Sequence, residues 1–153
     1  MNKITIAIAA GLLVAAVTPA FAVDEPLNVI KYRQNVMKSI GGHTGAIAGV
    51  VKGEVSLAGD VEAHARAINA MSQLLDHLFP KGTDNVAFTE TRALPAIWED
   101  MGKFDAGVKA LQAESAKMVE VAQGGDVAAI GAQLENLGKA CGGCHKPYRA
   151  EAK

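Results

Sequence analysis

Four segments of this 153-residue sequence carry apolar side chains at alternating steps of three and four residues. This spacing places one apolar stripe along each of four helices, as in helices that pack at a shallow angle in a bundle. Apolar β-branched residues never alternate with polar ones, so no strands are expected. Short links, except for a longer polar connection over 80–94, predict an all-α, antiparallel four-helix bundle. The predicted helices are Pro26 to about Lys52, Asp60 to about Phe79, Pro95 to Gly124, and Asp126 to about Tyr148, with Asp60 and Asp126 as N-caps.

The first 22 residues have the organisation of a secretory signal peptide. A basic start at Lys3 precedes an apolar run, and Ala20 and Ala22 supply small residues before a cleavage point. We therefore expect cleavage after Ala22, export to the periplasm, and a mature domain over residues 23–153. No other segment approaches membrane-spanning length, so no membrane insertion is expected. The formal net charge is −1 and there is no basic stripe, which argues against nucleic acid as a partner.

Residues 141–145 read C-G-G-C-H, which is the C-x-x-C-H attachment signature of c-type haem. Thiols three residues apart lie on one helix face, where each can add to a haem vinyl group, and the following imidazole can reach the iron. A disulfide between these two cysteines would close too short a loop to restrain much of the chain. A zinc site would want four ligands, and the sequence has no second Cys or His pair at ligand spacing. The motif predicts one covalently bound haem c, held by Cys141 and Cys144, with His145 as the proximal iron ligand.

With this motif at the end of a four-helix chain, the sequence resembles the cytochrome c′ family, the class II c-type cytochromes. Residues 141–149 read C-G-G-C-H-K-P-Y-R, similar to the family's C-x-x-C-H-x-x-[YF]-R ending. Residues 32–37, Y-R-Q-N-V-M, resemble the family's Arg-Gln pair followed three residues later by the distal residue. Residues 95–98, P-A-I-W, resemble the P-x-I-W start of its third helix. The resemblance covers the whole mature domain.

The resemblance implies roles for polar residues around the haem. Arg33 and Gln34 would contact the haem propionates, and Thr91 and Arg92 are further candidates for the same role. Arg33 also falls within the apolar stripe of the first helix, where a buried charge needs a partner. Arg149 follows the proximal histidine by four residues, so we expect it on the same helix face. There it could hydrogen-bond or electrostatically tune the proximal side of the iron.

Met37 is the residue that the resemblance places over the open face of the haem. As a non-bonding cap it would leave the iron five-coordinate and high-spin. As a sulfur ligand it would give a six-coordinate, low-spin electron carrier, a type that also occurs in the family. A methionine at helical spacing can also be an ordinary core residue. The sequence leaves these three interpretations open.

The resemblance implies a haem protein that exchanges electrons with redox partner proteins, or binds NO or CO. A sulfur or apolar distal residue offers no hydrogen bond to stabilise bound oxygen, which favours diatomics that bind ferrous iron unaided. A peroxidase-type enzyme would need a distal acid–base pair, and the first helix has no histidine on its stripe, so no enzyme is expected. A gas sensor would need a second domain to receive its signal. We expect His43, His64 and His77 at surface or boundary positions, not as ligands.

Four glycines, Gly41, Gly45, Gly49 and Gly53, recur at every fourth residue of the first predicted helix. Each costs about 1 kcal/mol in a helix interior, which suggests that something approaches this row closely. The row predicts a helix contact, either within the chain or across a dimer. Members of the family that the sequence resembles commonly dimerise through their first two helices, so a homodimer is expected.

Overall fold

The computed structural model describes residues 24–151, so the predicted signal peptide over 1–22 lies outside the described part of the chain. Within these residues the predicted all-α fold is confirmed, since the only extended pairing is an isolated antiparallel bridge between Ala93 and Arg149. None of the described helices is both long enough and apolar enough to cross a membrane. The helices are α1 (Pro26–Val51), α2 (Val61–Gln73), α3 (Ala96–Glu99), α4 (Met101–Gln123) and α5 (Val127–Tyr148).

The four long helices form a closed ring in the order α1, α2, α4, α5, with α5 packed back against α1. Consecutive members of the ring are antiparallel. Near the start of α1, Arg33 reaches Leu78 beyond the end of α2, whereas His43, further along α1, meets His64 near the start of α2. The same reversal relates α2 to α4 and α4 to α5. The chain is therefore the predicted antiparallel bundle, with α3 as a short extra helix.

The core lies inside this ring and is built by the stripes that the sequence predicted. Fully buried apolar side chains come from all four long helices and from α3, and their removal from water supplies the main stabilising term. The longest side chains with almost no exposure are Ile30, Ile47, Ile68, Ile97, Met118, Ile130 and Leu137.

The ends of the helices depart from the prediction at α2. A 3-10 turn over Ala58–Asp60 precedes α2, and the Asp60 side chain makes no capping hydrogen bond. The helix was predicted to reach Phe79 but loses α geometry after Gln73 and continues as a 3-10 turn over Leu74–His77. Tightening of a last turn in this way is common at helix ends. Asp126 does cap α5, where its carboxylate accepts from the backbone N–H groups of the second and third helical residues.

The predicted third helix is broken in two at Asp100. Its backbone is extended, with φ −143° and ψ 75°, so α3 stops at Glu99 and α4 begins at Met101. The Asp100 carboxylate accepts from the backbone N–H of Lys103, which starts α4 with an N-cap. A single continuous helix from Pro95 is therefore wrong, because a capping residue interrupts an otherwise unbroken apolar stripe.

The glycine row on α1 makes little contact within the chain. A Cβ atom built on Gly41 or Gly45 would meet no other atom within 4 Å. A Cβ on Gly49 would lie 3.1 Å from a methyl carbon of Val55 in the following loop. Gly53 lies beyond the helix with φ +73°, the left-handed region that ends helices. Among residues 24–151, no other helix therefore approaches Gly41 or Gly45 closely, and a contact across a dimer stays a prediction.

Candidate functional site

A cavity of about 640 Å³ opens between the long helices at one end of the bundle. This size is within the range of pockets that enclose small molecules and cofactors. All nine residues predicted for the site line it: Arg33, Gln34 and Met37 from α1, Thr91 and Arg92 from the connection, and Cys141, Cys144, His145 and Arg149 at the end of α5. The structure therefore brings together residues that are up to 116 positions apart in sequence (149 − 33).

The α5 residues present two thiols and one imidazole to this cavity. Cys141 and Cys144 are half-buried free thiols, and burial raises the pKa of both, so they are protonated at neutral pH. Burial lowers the pKa of His145, and the nearby charges of Arg149 and Arg92 lower it further. The imidazole is therefore kept neutral, which is the form in which histidine binds a metal.

Gly107 on α4 makes room for Cys144 on α5. A Cβ built on Gly107 would lie 3.4 Å from Sγ and 3.5 Å from Cβ of Cys144. Any longer side chain at this position would enter the space around the sulfur. Gly107 also lines the cavity, so the smallest residue stands where a group bonded to that sulfur needs space. This cradle, with the two thiols and the neutral imidazole, fits a covalently attached haem.

We expect Gly107→Leu to lower the fraction of protein that carries haem bonded through Cys144. The added side chain occupies the cradle, and the overpacking costs about 1–3 kcal/mol. Gly138→Leu is the matched control, because Gly138 is an exposed glycine of α5 with no atom within 4 Å of its Cβ position. Intact mass and the pyridine haemochrome spectrum would report the loss. Equal haem content in the two variants would contradict this role for Gly107.

Arg33 is a buried cation held by the loop that follows α2. Its side chain is 3% exposed, and burial lowers its pKa to about 10, so it stays charged at neutral pH. Nη1 donates to the Leu78 carbonyl at 3.2 Å and to Thr83 Oγ1 at 2.9 Å. Nη2 donates to the Thr83 carbonyl at 2.9 Å and to Thr91 Oγ1 at 3.0 Å. The guanidinium also lies 4.6 Å from the centre of the Phe79 ring, a cation–π distance.

None of the ion pairs among the described residues involves Arg33, so no carboxylate there neutralises its charge. A buried charge without a counter-ion favours an anionic group in the cavity that it lines. This is a second observation that fits a haem, whose propionates are anionic. The sequence did not predict that the protein itself would accept all four Nη hydrogens of Arg33.

Thr91 is positioned by these bonds to act as a donor. Its Oγ1 accepts from Arg33 Nη2 and from the backbone N–H of Ala93 at 3.1 Å. A hydroxyl has two acceptor lone pairs and one hydrogen, so the O–H of Thr91 remains to be donated. Gln34 binds the same loop, where Nε2 donates to the Glu90 carbonyl at 2.6 Å. Arg33, Gln34 and Thr91 thus tie α1 to the connection at the rim of the cavity, and Arg92 lines the same rim.

Arg149 is the C-cap of α5, and its backbone N–H donates to the His145 carbonyl, one helical turn back, at 3.0 Å. Its own backbone is extended, with φ −128° and ψ 121°, so the helix ends at Tyr148. Arg149 and His145 line the same cavity, as the expected shared helix face requires. The segment is held by the bridge to Ala93, in which the Ala150 N–H donates to the Arg92 carbonyl at 2.8 Å. The electrostatic effect of Arg149 on His145 agrees with the predicted tuning of the proximal side.

Met37 lies one helical turn after Arg33 and is half-buried against the core. It lines the same cavity as His145, from α1 instead of α5. His145 is the only histidine among the described residues that line this cavity, and His43, His64 and His77 lie elsewhere. The remaining wall is mostly apolar, with side chains of Ile40, Leu75, Phe79, Ile97, Phe104, Val108 and Leu111.

Sequence reasoning missed an aromatic group in the wall of the cavity. Phe104 lies edge-on to both Phe79, at 4.6 Å between ring centres, and Tyr148, at 5.3 Å. The only tryptophan, Trp98, does not line the cavity and instead donates from Nε1 to the Phe79 carbonyl at 3.0 Å. These contacts join α3, α4 and α5 around the site. The stripe of α4 contained Phe104, but nothing in the sequence paired it with Phe79.

The C-x-x-C-H motif on the wall of an enclosed cavity places this helical bundle in the class of c-type haem proteins. The family model described as cytochrome C′ matches residues 28–149. The cytochrome c′ of Rhodospirillum rubrum is 33% identical over 94% of this chain and 97% of its own length. Two solved structures from Alcaligenes xylosoxidans, a nitric oxide complex and a carbon-monoxide-bound form of cytochrome c prime variants, each have a TM-score of 0.75 and 29% identity. Each covers 83% of this chain and 98% of its own.

The chain belongs to the cytochrome c′ family. Its cofactor is the covalently bound c-type haem of that family, and its fold is the family's four-helix bundle.

Proposed function

We propose that this protein is a periplasmic cytochrome c′ with five-coordinate, high-spin iron, which binds NO or CO and exchanges single electrons with redox partner proteins. The observation that carries the proposal is the cavity itself, which Met37 lines from α1 and His145 from α5, with no second histidine among the described residues that line it. When bound, the haem supplies an iron that changes oxidation state by one electron and binds diatomic ligands. The protein's residues decide how that iron is held and what can approach it.

In this proposal the end of α5 holds the haem and the α1 side faces its open position. Cys141 and Cys144 would form the thioether bonds, and His145 would bind the iron. The O–H of Thr91 and the charge of Arg33 would hold the propionates at one end of the group. Gln34, Arg92 and Arg149 complete this polar rim.

The wall around Met37 supports a gas-binding role over an enzymatic one. A peroxidase-type mechanism needs a distal acid–base pair. His43, the only histidine of α1, instead bonds to His64 and does not line the cavity. A methionine thioether and aliphatic side chains give no strong hydrogen-bond donor to a bound ligand. NO and CO need no such donor, and the solved structures of relatives with these two gases support this choice.

The alternative is a low-spin electron carrier in which Met37 Sδ is the sixth ligand. Its position in the cavity wall favours this alternative over an ordinary core methionine. Optical spectra of the oxidised and reduced protein, with and without CO, separate the two. The five-coordinate proposal expects a high-spin reduced spectrum that changes on addition of CO. A low-spin reduced spectrum that CO leaves unchanged would favour the alternative.

Export follows from the composition of residues 1–22, which we propose are a signal peptide removed after Ala22. The half-buried thiols of the mature domain would then be joined to haem outside the cytoplasm. Mass spectrometry of protein purified from the periplasm would give a chain that begins at Val23 and carries one haem. A chain that retains Met1 would contradict this part of the proposal.

We also propose a homodimer through α1 and α2. Gly42 and Gly45 of α1 are exposed and do not line the haem cavity, and Cβ atoms added there would meet no neighbouring atom of the described residues within 4 Å. This flat surface would let a second copy approach closely. We expect Gly45→Leu to convert a dimer to a monomer in size-exclusion chromatography with light scattering. An unchanged oligomeric mass and melting temperature would exclude this helix contact.

A further inference from the structure

The contact between His43 and His64 lies outside the haem cavity and has no role in the function proposed above. The two Nδ1 atoms are 2.8 Å apart, the ring centres are 5.1 Å apart, and the ring planes are tilted by 47°. The two residues belong to adjacent helices, α1 and α2, and both are half-buried. We propose that this pair is a binding site for a divalent transition-metal ion such as Cu²⁺ or Ni²⁺.

The chemistry of the pair supports a shared cation. Two nitrogens that face each other at 2.8 Å must share one proton, because one imidazole donates and the other accepts. A metal ion can replace this proton when both rings turn their lone pairs toward it. Imidazole nitrogens bind such metals at about 2.0–2.1 Å, so two of them 2.8 Å apart subtend about 90° at the metal. That is the angle between neighbouring ligands in the tetragonal geometry of Cu²⁺ and Ni²⁺.

The backbone around the pair is held in place by the core. On α1, Ile40 and Ile47 flank His43 at three and four residues and are buried. On α2, Val61 and Ile68 flank His64 in the same way and are fully buried. Side-chain rotation alone therefore adjusts the site, since the two helices are fixed by these contacts. A preorganised pair loses less conformational entropy on binding than two mobile histidines would.

The charge around the pair also suits a cation. Residues one helical turn from either histidine share the face on which it lies, and none of them is Lys or Arg. One of them, Asp60, is acidic. Among the described residues, no three His, Cys, Asp or Glu side chains are grouped to hold a metal, so water completes the coordination. The positions one turn away are 39, 40, 46 and 47 on α1, and 60, 61, 67 and 68 at α2.

The test is calorimetric titration of the haem-loaded, chelator-treated protein with CuCl₂ or NiCl₂ at neutral pH. We expect one tight site per chain and a metal-dependent rise in melting temperature, because a ligand that binds only the folded state stabilises it. His43→Gln and His64→Gln should each weaken binding at least tenfold and abolish the rise. His77→Gln is the matched control, since His77 is exposed and lies outside the pair. It should leave both measurements unchanged.

Several results would overturn the proposal. The wild-type protein could fail to bind either metal, or both single variants could bind as tightly as the His77→Gln control. An unchanged haem spectrum and far-UV circular dichroism in each variant will show that the bundle is intact. Binding must also weaken on acidification, because protons compete for both nitrogens. A metal affinity independent of pH would therefore contradict the site as well.

Discussion

Arg33→Met is expected to lower the free energy of unfolding by about 3–5 kcal/mol, because several buried acceptors lose their donor together. The carbonyls of Leu78 and Thr83 and the hydroxyl of Thr91 would be left in a region that water reaches poorly. Arg33→Lys should recover part of the loss, since lysine keeps the charge but cannot bridge both threonines with a planar fork. Urea unfolding of the haem-loaded protein, followed by circular dichroism, measures each difference.

The matched control for this prediction is Arg66→Met. Arg66 is an exposed residue of α2 whose Nε donates to the Glu62 carboxylate at 2.9 Å. Water screens an exposed pair of this kind, so its loss should change the free energy of unfolding little. If the two arginine variants differ in free energy of unfolding by less than about 1 kcal/mol, the hydrogen bonds between Arg33 and the loop do not stabilise the protein.

Met37→Ala is expected to raise the CO affinity of the ferrous protein by roughly 10- to 100-fold. A ligand forced against a packed side chain costs about 1–3 kcal/mol, and each 1.4 kcal/mol is about tenfold in affinity. Truncation to alanine removes the Met37 side chain, which lines the α1 side of the cavity. Equilibrium titration with CO gives the affinity, and flash photolysis shows whether the gain lies in the association rate, as relief of a steric barrier requires.

Met71→Ala provides the comparison for Met37→Ala. Met71 is a half-buried methionine of α2 that packs against the core but does not line the cavity. Its loss should reduce stability and leave CO affinity unchanged. Equal affinities in wild type and Met37→Ala would show that Met37 does not restrict the open face. A change of the oxidised and reduced spectra from low-spin to high-spin in Met37→Ala would instead identify its sulfur as a ligand.

The four long helices could be predicted because each repeats its apolar step over several turns. The period survives wherever the helix is uninterrupted, so α1 and α5 end within a residue or so of the predicted limits. It fails at Asp100, where the stripe of apolar residues continues through a break in the backbone. It also fails after Gln73, where a 3-10 turn carries Leu75 and Leu78 into the core. At Asp100 a side-chain N-cap starts a new helix, and after Gln73 the last turn tightens, and the apolar period reveals neither event.

The residues of the site could be predicted from the sequence where they belong to a motif with a known chemical role. C-x-x-C-H names three residues directly, and the resemblance added others that line the same cavity. The partners of Arg33 could not be predicted, since they lie 45–58 residues away and two are backbone carbonyls, which no side-chain pattern reveals. Gly107 was missed for a similar reason. Its use depends on a close approach between α4 and α5 that exists only in the folded bundle.

The bridge between Ala93 and Arg149 joins the residues just after α5 to the connection that follows α2. Contacts between residues this far apart in sequence form only after the long loop between them has closed. The cavity wall that carries Cys141, Cys144 and His145 is therefore held from two sides, by its own helix and by a segment about fifty residues earlier. A change that loosens the connection over 80–94 would accordingly loosen the wall that bears the haem-attachment motif.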